Sequence, residues 1–295
     1  MKWAGQLLLI GGLVMTLLFT SCATVFVKRV PPRPIQLMGE EGSIVITVDA
    51  DKERELVSLA FGGIEELGAR SRRISLALRG LDDVYPLDPA NLSMWALIEG
   101  DYPSFLVNTA LMYVPSLSRR EVEGGPTWFT QKEGPLSLRA VGKDAILLTD
   151  GDYEATYRRY KEGPVLLDEE TTRLMESASI AVYVLRPKSF FDLGLDLPQS
   201  VFEQSETVLL LLENTGDGAY SADAVITMQS EKGASTLSQM VRSGYIARLR
   251  KEGRAVNIAA LREMFLLEGD RVTIQAMELP GEQLDVLKSS LVGII

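Results

Sequence analysis

The acidic triplets Glu99-Gly100-Asp101, Asp150-Gly151-Asp152 and Glu268-Gly269-Asp270 come nearest to a chemical site in this sequence. Calcium would need several oxygen ligands converging in one loop, and the twelve-residue spacing of a helix–loop–helix site is absent. The plainer reading is a turn at each glycine, with the aspartate capping the following helix at the first two sites. There is no histidine, which excludes serine–histidine and cysteine–histidine catalysis and any histidine-held metal. Cys22 is the single cysteine, so no disulfide framework forms. Neither a Ser-x-x-Lys pair, a Gly-x-Ser-x-Gly elbow nor a Gly-x-x-x-x-Gly-Lys loop occurs. Paired acids such as Asp82-Asp83 and Glu169-Glu170 read as solvated rather than glycosidic. No catalytic residue, metal ligand or cofactor is assigned, and the chain is read as not an enzyme.

Its apolar segments say more. Residues 105–114, Phe-Leu-Val-Asn-Thr-Ala-Leu-Met-Tyr-Val, are apolar nearly all round. Such a helix is buried on several sides, or faces lipid or a ligand. Burial between two halves of the molecule is the expected outcome, with Phe105 and Leu106 as lipid or membrane contacts in the alternative. Residues 190–202 are similar in content but broken by Gly194 and Pro198, and there Phe190 and Phe191 are the candidate contacts. Residues 235–251 spell an amphipathic helix with Leu237, Met240, Val241, Tyr245 and Leu249 on one stripe. Arg242, Arg248 and Arg250 gather toward its carboxyl end, where positive charge complements the helix dipole. The functional alternative for these arginines is contact with anionic headgroups.

The elements that must position these residues follow from hydrophobic period and turn signals. Strands are expected at 43–49, 73–79, 92–99, 136–141 and 145–149, with helices at 53–67, 104–114 and 153–159. A second series has a strand at 180–185, an irregular apolar stretch at 190–202, strands at 207–213, 222–229, 264–268 and 271–278, and helices at 235–251 and 282–291. The repeated order predicts an α+β fold of two related halves, 43–161 and 177–295. Each would be an antiparallel sheet with helices on one face in ferredoxin-like βαββαβ order. The chain, 295 residues with 46% hydrophobic and 24% charged side chains, has ordinary globular composition. Its net charge of −10 argues against a nucleic-acid partner.

The amino terminus carries the one specific resemblance. Lys2 precedes an apolar run from Leu7 to Phe19, too short to span a bilayer as a helix but suited to an export signal. The run ends in Phe19-Thr20-Ser21-Cys22, which resembles the lipobox of bacterial lipoproteins, with Phe19 in place of the usual leucine. Looser boxes of this kind suggest a spirochaetal source. In outline the chain also resembles treponemal outer-membrane-associated lipoproteins. The resemblance implies a signal peptide at 1–21 and acylation of Cys22, giving a membrane as partner. Residues 22–42, with Pro31, Pro32 and Pro34, then form a proline-rich tether. The expected function is a non-catalytic, lipid-anchored interaction or scaffold protein of the envelope, placed at the outer membrane and meeting a lipid or an envelope protein. The alternative is a lipid-binding or membrane-inserting lipoprotein that uses residues 105–114 and 190–202.

Overall fold

The computed structural model describes residues 33–38, 44–60, 65–79, 93–187, 201, 203–216, 219–279, 281, 284–285 and 288–289. Among them, twelve strands make one sheet: β1 (Ile44–Asp49), β2 (Ser71–Arg79), β3 (Ser93–Gly100), β4 (Leu117–Glu121), β5 (Thr127–Gln131), β6 (Ser137–Val141), β7 (Ala145–Thr149), β8 (Ile180–Leu185), β9 (Ser205–Gly216), β10 (Ala219–Met228), β11 (Phe265–Glu268) and β12 (Arg271–Glu278). The spatial order is β11-β12-β10-β9-β8-β1-β2-β3-β7-β6-β5-β4, and neighbouring strands pair antiparallel. The helices are α1 (Arg54–Ala60), α2 (Glu65–Arg70), α3 (Ser104–Leu111), α4 (Tyr153–Glu162), α5 (Glu169–Ser177), α6 (Glu231–Lys251) and α7 (Ile258–Met264). The α+β class and the antiparallel sheet expected from the pattern are those the chain adopts.

The middle of the sheet is β1 beside β8, with Ile46 opposite Val182 on one side and Leu76 of β2 on the other. Both central strands are branched and apolar over most of their length, as burial on both faces requires. Outward from β1 the strands run β2, β3, β7, β6, β5, β4; outward from β8 they run β9, β10, β12, β11. The halves therefore share one sheet instead of each closing its own. One face packs Ile46, Ile74, Leu76, Leu210 and Leu212 against Leu56 and Val57 of α1 and Leu237 and Val241 of α6. The other packs Val45, Leu97, Leu147 and Leu209 against Tyr153 of α4 and Met175 of α5. The helices thus lie over both faces, because β1, β2 and β9 carry apolar residues on both sides of the pleat. Each fully buried leucine here contributes roughly 1.5–3 kcal/mol.

Two compact units divide the chain: Met1–Pro32, outside the described residues, and Arg33–Ile295. The expected signal segment and Cys22 fall in the first. Phe190 and Phe191 also lie outside the described residues. Residues 33–38, read from sequence as tether, belong to the second unit. A short 3-10 turn, Pro34–Leu37, buries Ile35, Leu37 and Met38. Arg33 donates to Glu176 and, at 2.8 Å, to Glu169, both on α5. Helix α5 falls in the stretch expected to join the halves, and forms because Asp168 caps it, accepting from the Thr171 amide at 2.8 Å.

Candidate functional site

Helix α3 begins after Tyr102-Pro103 and has no side-chain cap. Asn108 docks it. Its Nδ2 donates to the Ala140 carbonyl at 3.0 Å, and its Oδ1 accepts from the Ala140 amide at 3.0 Å. The side chain thus answers both main-chain groups of one β6 residue, and Val107 packs against the core beside it. No residue of α3 is buried. Phe105 is 79% exposed, Leu106 62%, Met112 50% and Tyr113 79%. Phe105 and Leu106 lie in the first turn of the helix, and Met112 and Tyr113 in the turn that follows its last residue, Leu111. The expectation that residues 105–114 are buried between the halves is therefore corrected. The halves meet at β1 and β8, four strands from β1 to β6, and among the described residues no second layer covers the outer side of α3.

Helix α6 behaves differently. Ala234, Leu237, Val241, Tyr245 and Leu249 form its buried stripe, close to the one expected, and Ser230 caps it by accepting from Gly233 at 3.1 Å. Two of its basic residues are engaged with the fold. Arg242 donates to the Phe265 carbonyl at 3.1 Å, and Arg248 to the Glu278 carbonyl at 2.9 Å. The Arg248 guanidinium also lies 4.8 Å from the Tyr245 ring centroid. Both arginines tie β11 and β12 to the helix, while Arg250 alone of the three is exposed. The structure does not bring Arg242 or Arg248 together with Phe105 and Leu106, since α6 packs beside β11 and β12 and α3 over β6.

The acidic triplets differ: Glu99 and Gly100 end strand β3 instead of forming the expected turn, Asp150-Gly151-Asp152 links β7 to α4, and Glu268-Gly269-Asp270 closes the β11–β12 hairpin. Asp152 caps α4, accepting from Glu154 at 2.9 Å, as its position implied. Asp101 does not cap α3; it lies 3.7 Å from Arg70. Gly100 is required by contact: a Cβ there would stand 2.1 Å from the Arg70 carbonyl oxygen. Gly269 has φ +60°, the left-handed region of a hairpin turn. Among the described residues no three of Asp, Glu, Cys or His gather as a metal site.

One cluster had no signal in the sequence. Glu53, just before α1, is buried, accepts a hydrogen bond from the Tyr220 hydroxyl of β10, and lies 3.5 Å from the Asn214 amide of β9. Lys288 sits 4.8 Å from the Tyr220 ring centroid. Burial pushes the Glu53 carboxyl above its ordinary range, against the hydrogen bond from Tyr220 and the nearby Lys288 charge. Asn214 and Tyr220 are 161 and 167 positions from Glu53 in sequence, so only the tertiary fold brings them to it.

The fold has a counterpart among solved structures. This chain folds like TP0453. Crystal form I of that treponemal protein aligns with TM-score 0.59 at 13% identity, covering 89% of this chain and 99% of TP0453. Form III gives 0.56 at 13% identity, over 88% and 100% of the two chains, and form IV gives 0.55. No family model matches the sequence, and no curated protein matches it either. Identity this low carries the architecture and leaves function to the residues of this chain.

Proposed function

We propose that this protein is a non-catalytic, lipid-anchored lipoprotein of a bacterial envelope whose folded body docks on a membrane through helix α3. The carrying observation is the exposed apolar side formed by Phe105, Leu106, Met112 and Tyr113. Moving the exposed parts of Phe105, Leu106 and Met112 into hydrocarbon would contribute about 3–6 kcal/mol. That suffices for reversible attachment, and a lipid on Cys22 would add the second signal that stable anchoring takes. The lipobox-like Phe19-Thr20-Ser21-Cys22 and the TP0453-like fold support an envelope location, with the outer membrane as the assigned site. Among the described residues no helix is long and apolar enough to cross a membrane, so α3 is assigned to the interface and not to a span.

Membrane docking is preferred here to the scaffold role because residues 105–114, expected to be buried, leave Phe105, Leu106, Met112 and Tyr113 exposed. The test is flotation of the compact unit Arg33–Ile295 with liposomes at low and high salt. Flotation that resists salt is expected. Flotation lost at high salt would move the contact to exposed charges such as Arg250 and overturn the assignment to α3. No flotation would also overturn it and return the exposed patch to a protein partner.

A further inference from the structure

A cleft of about 880 Å³ opens between α1 and the carboxyl-terminal residues Asp285, Lys288 and Ser289, beside the ends of β9 and β10. We infer that this cleft is a recognition site for a primary ammonium group, occupied here by the chain's own Lys288. The inference is independent of membrane docking by α3.

Three observations carry it. The first is the seat. An ammonium lies over the face of Tyr220, whose hydroxyl donates to the buried Glu53 carboxylate. A π-face joined to a carboxylate is what an organic cation selects in a desolvated site. Glu53 receives its hydrogen bonds from neutral donors, Tyr220 and Asn214, and forms no ion pair within 4.0 Å among the described residues. Its negative charge is thus left to be met by whatever cation occupies the ring.

The second is the sign of the walls. Lys52 is already satisfied by the Ser177 carbonyl at 2.8 Å and Glu213 at 2.7 Å, and Arg54 pairs with Asp51. With those cations neutralised, Glu53, Glu55 and Asp285 face the cleft, and among the described lining residues Lys288 is the remaining cation. A cation is attracted into such a site and an anion repelled. The third is the space. Leu56 and Leu59 line the same cleft, and Leu59 is exposed. They offer an aliphatic wall to a short alkyl chain carrying the ammonium, in a volume within the range of small-ligand sites. Lys288, a butylammonium on its own tether, is the internal model for that ligand.

The experiment follows the Asn214 side-chain amide by NMR while ethanolamine is added to the protein, to Lys288→Met, and to Lys288→Met carrying Glu53→Gln. Removing the resident ammonium is expected to tighten saturable ethanolamine binding at least tenfold over the unaltered protein. The additional Glu53→Gln change is expected to abolish it. Circular dichroism of each variant separates lost binding from lost folding, and Tyr220→Phe serves as a milder second variant if Glu53→Gln disturbs the fold. No saturable shift in folded Lys288→Met overturns the inference, as does equal binding by the Glu53→Gln double variant. A parallel arm compares Lys288→Met on vesicles of phosphatidylethanolamine and of phosphatidylcholine. Retention selective for ethanolamine and lost with Glu53→Gln assigns the ammonium to a lipid headgroup; ethanolamine binding without vesicle selectivity assigns a soluble amine.

Discussion

Replacing Phe105 and Leu106 together with serine separates a membrane-docking helix from a core helix. Both side chains are largely solvated, at 79% and 62% exposure, and α3 is held to β6 by Asn108 and Val107, which the change leaves alone. Their loss from a bilayer interface removes about 2–4 kcal/mol, the exposed share of roughly 1.5–3 kcal/mol for each full side chain. That corresponds to a fall in vesicle partitioning of about 30- to 1,000-fold. Folding stability, in contrast, is expected to change by no more than about 0.5 kcal/mol, because solvated positions outside caps and networks tolerate substitution. Vesicle sedimentation over a range of lipid concentrations measures the first quantity, and urea unfolding of the same samples measures the second. A stability loss of about 3 kcal/mol or more would show that these side chains are covered in solution. Unchanged partitioning with unchanged stability would show that α3 does not touch the bilayer. Either result refutes the reasoning.

Glu53→Gln is expected to raise stability at neutral pH. Because the folded carboxyl titrates above its ordinary value of 4.5, the native state holds more protons than the unfolded chain just above that value, so Glu53 costs stability as pH rises through the folded pKa. Urea midpoints taken from pH 4 upward should show that decline in the parent and a flatter profile in the variant. Asp168→Ala removes the cap of α5 and is expected to cost about 1 kcal/mol at neutral pH. Hydrogen bonds from Thr171 hold the Asp168 carboxyl below its ordinary 3.8, opposing burial, so its contribution is present above the unfolded pKa and vanishes as pH falls through the folded one; thermal unfolding at pH 7 and pH 2.5 checks both ends. Gly100→Ala drives a Cβ against the Arg70 carbonyl oxygen and is expected to destabilise by about 1–3 kcal/mol, measured by urea unfolding.

What could be read from the chain alone were features written in adjacent residues. Strands such as Ile44–Asp49 and Ile180–Leu185 announce themselves by branched apolar runs, and the long α6 by its stripe from Leu237 to Leu249. The lipobox-like Phe19 to Cys22 segment and the absence of histidine are likewise properties of residue order and type. Strand β4 escaped because an edge strand needs no buried face, and Leu-Ser-Arg-Arg-Glu reads as a polar loop. Helix α7 is short, with Leu261 its buried residue, which leaves too weak a period to see. Burial of residues 105–114 was misjudged for a reason that composition cannot mend. An apolar helix carries the same letters whether a second layer covers it or not, and only the placement of α3 over β6, away from the β1–β8 centre, left Phe105 and Tyr113 in solvent. The basic end of α6 shows the converse. Arg242 and Arg248 look free in the sequence, yet carbonyls of β11 and β12 come within 3.1 Å and 2.9 Å once the sheet has formed. Glu53, Asn214 and Tyr220 form a cluster solely because strand pairing outward from β8 carries β9 and β10 past the end of β1. Sequence thus determined the elements and their apolar faces, through local preference and period. Tertiary structure decided which faces were left uncovered and which distant polar groups met, because both depend on what packs above a residue rather than on what precedes it.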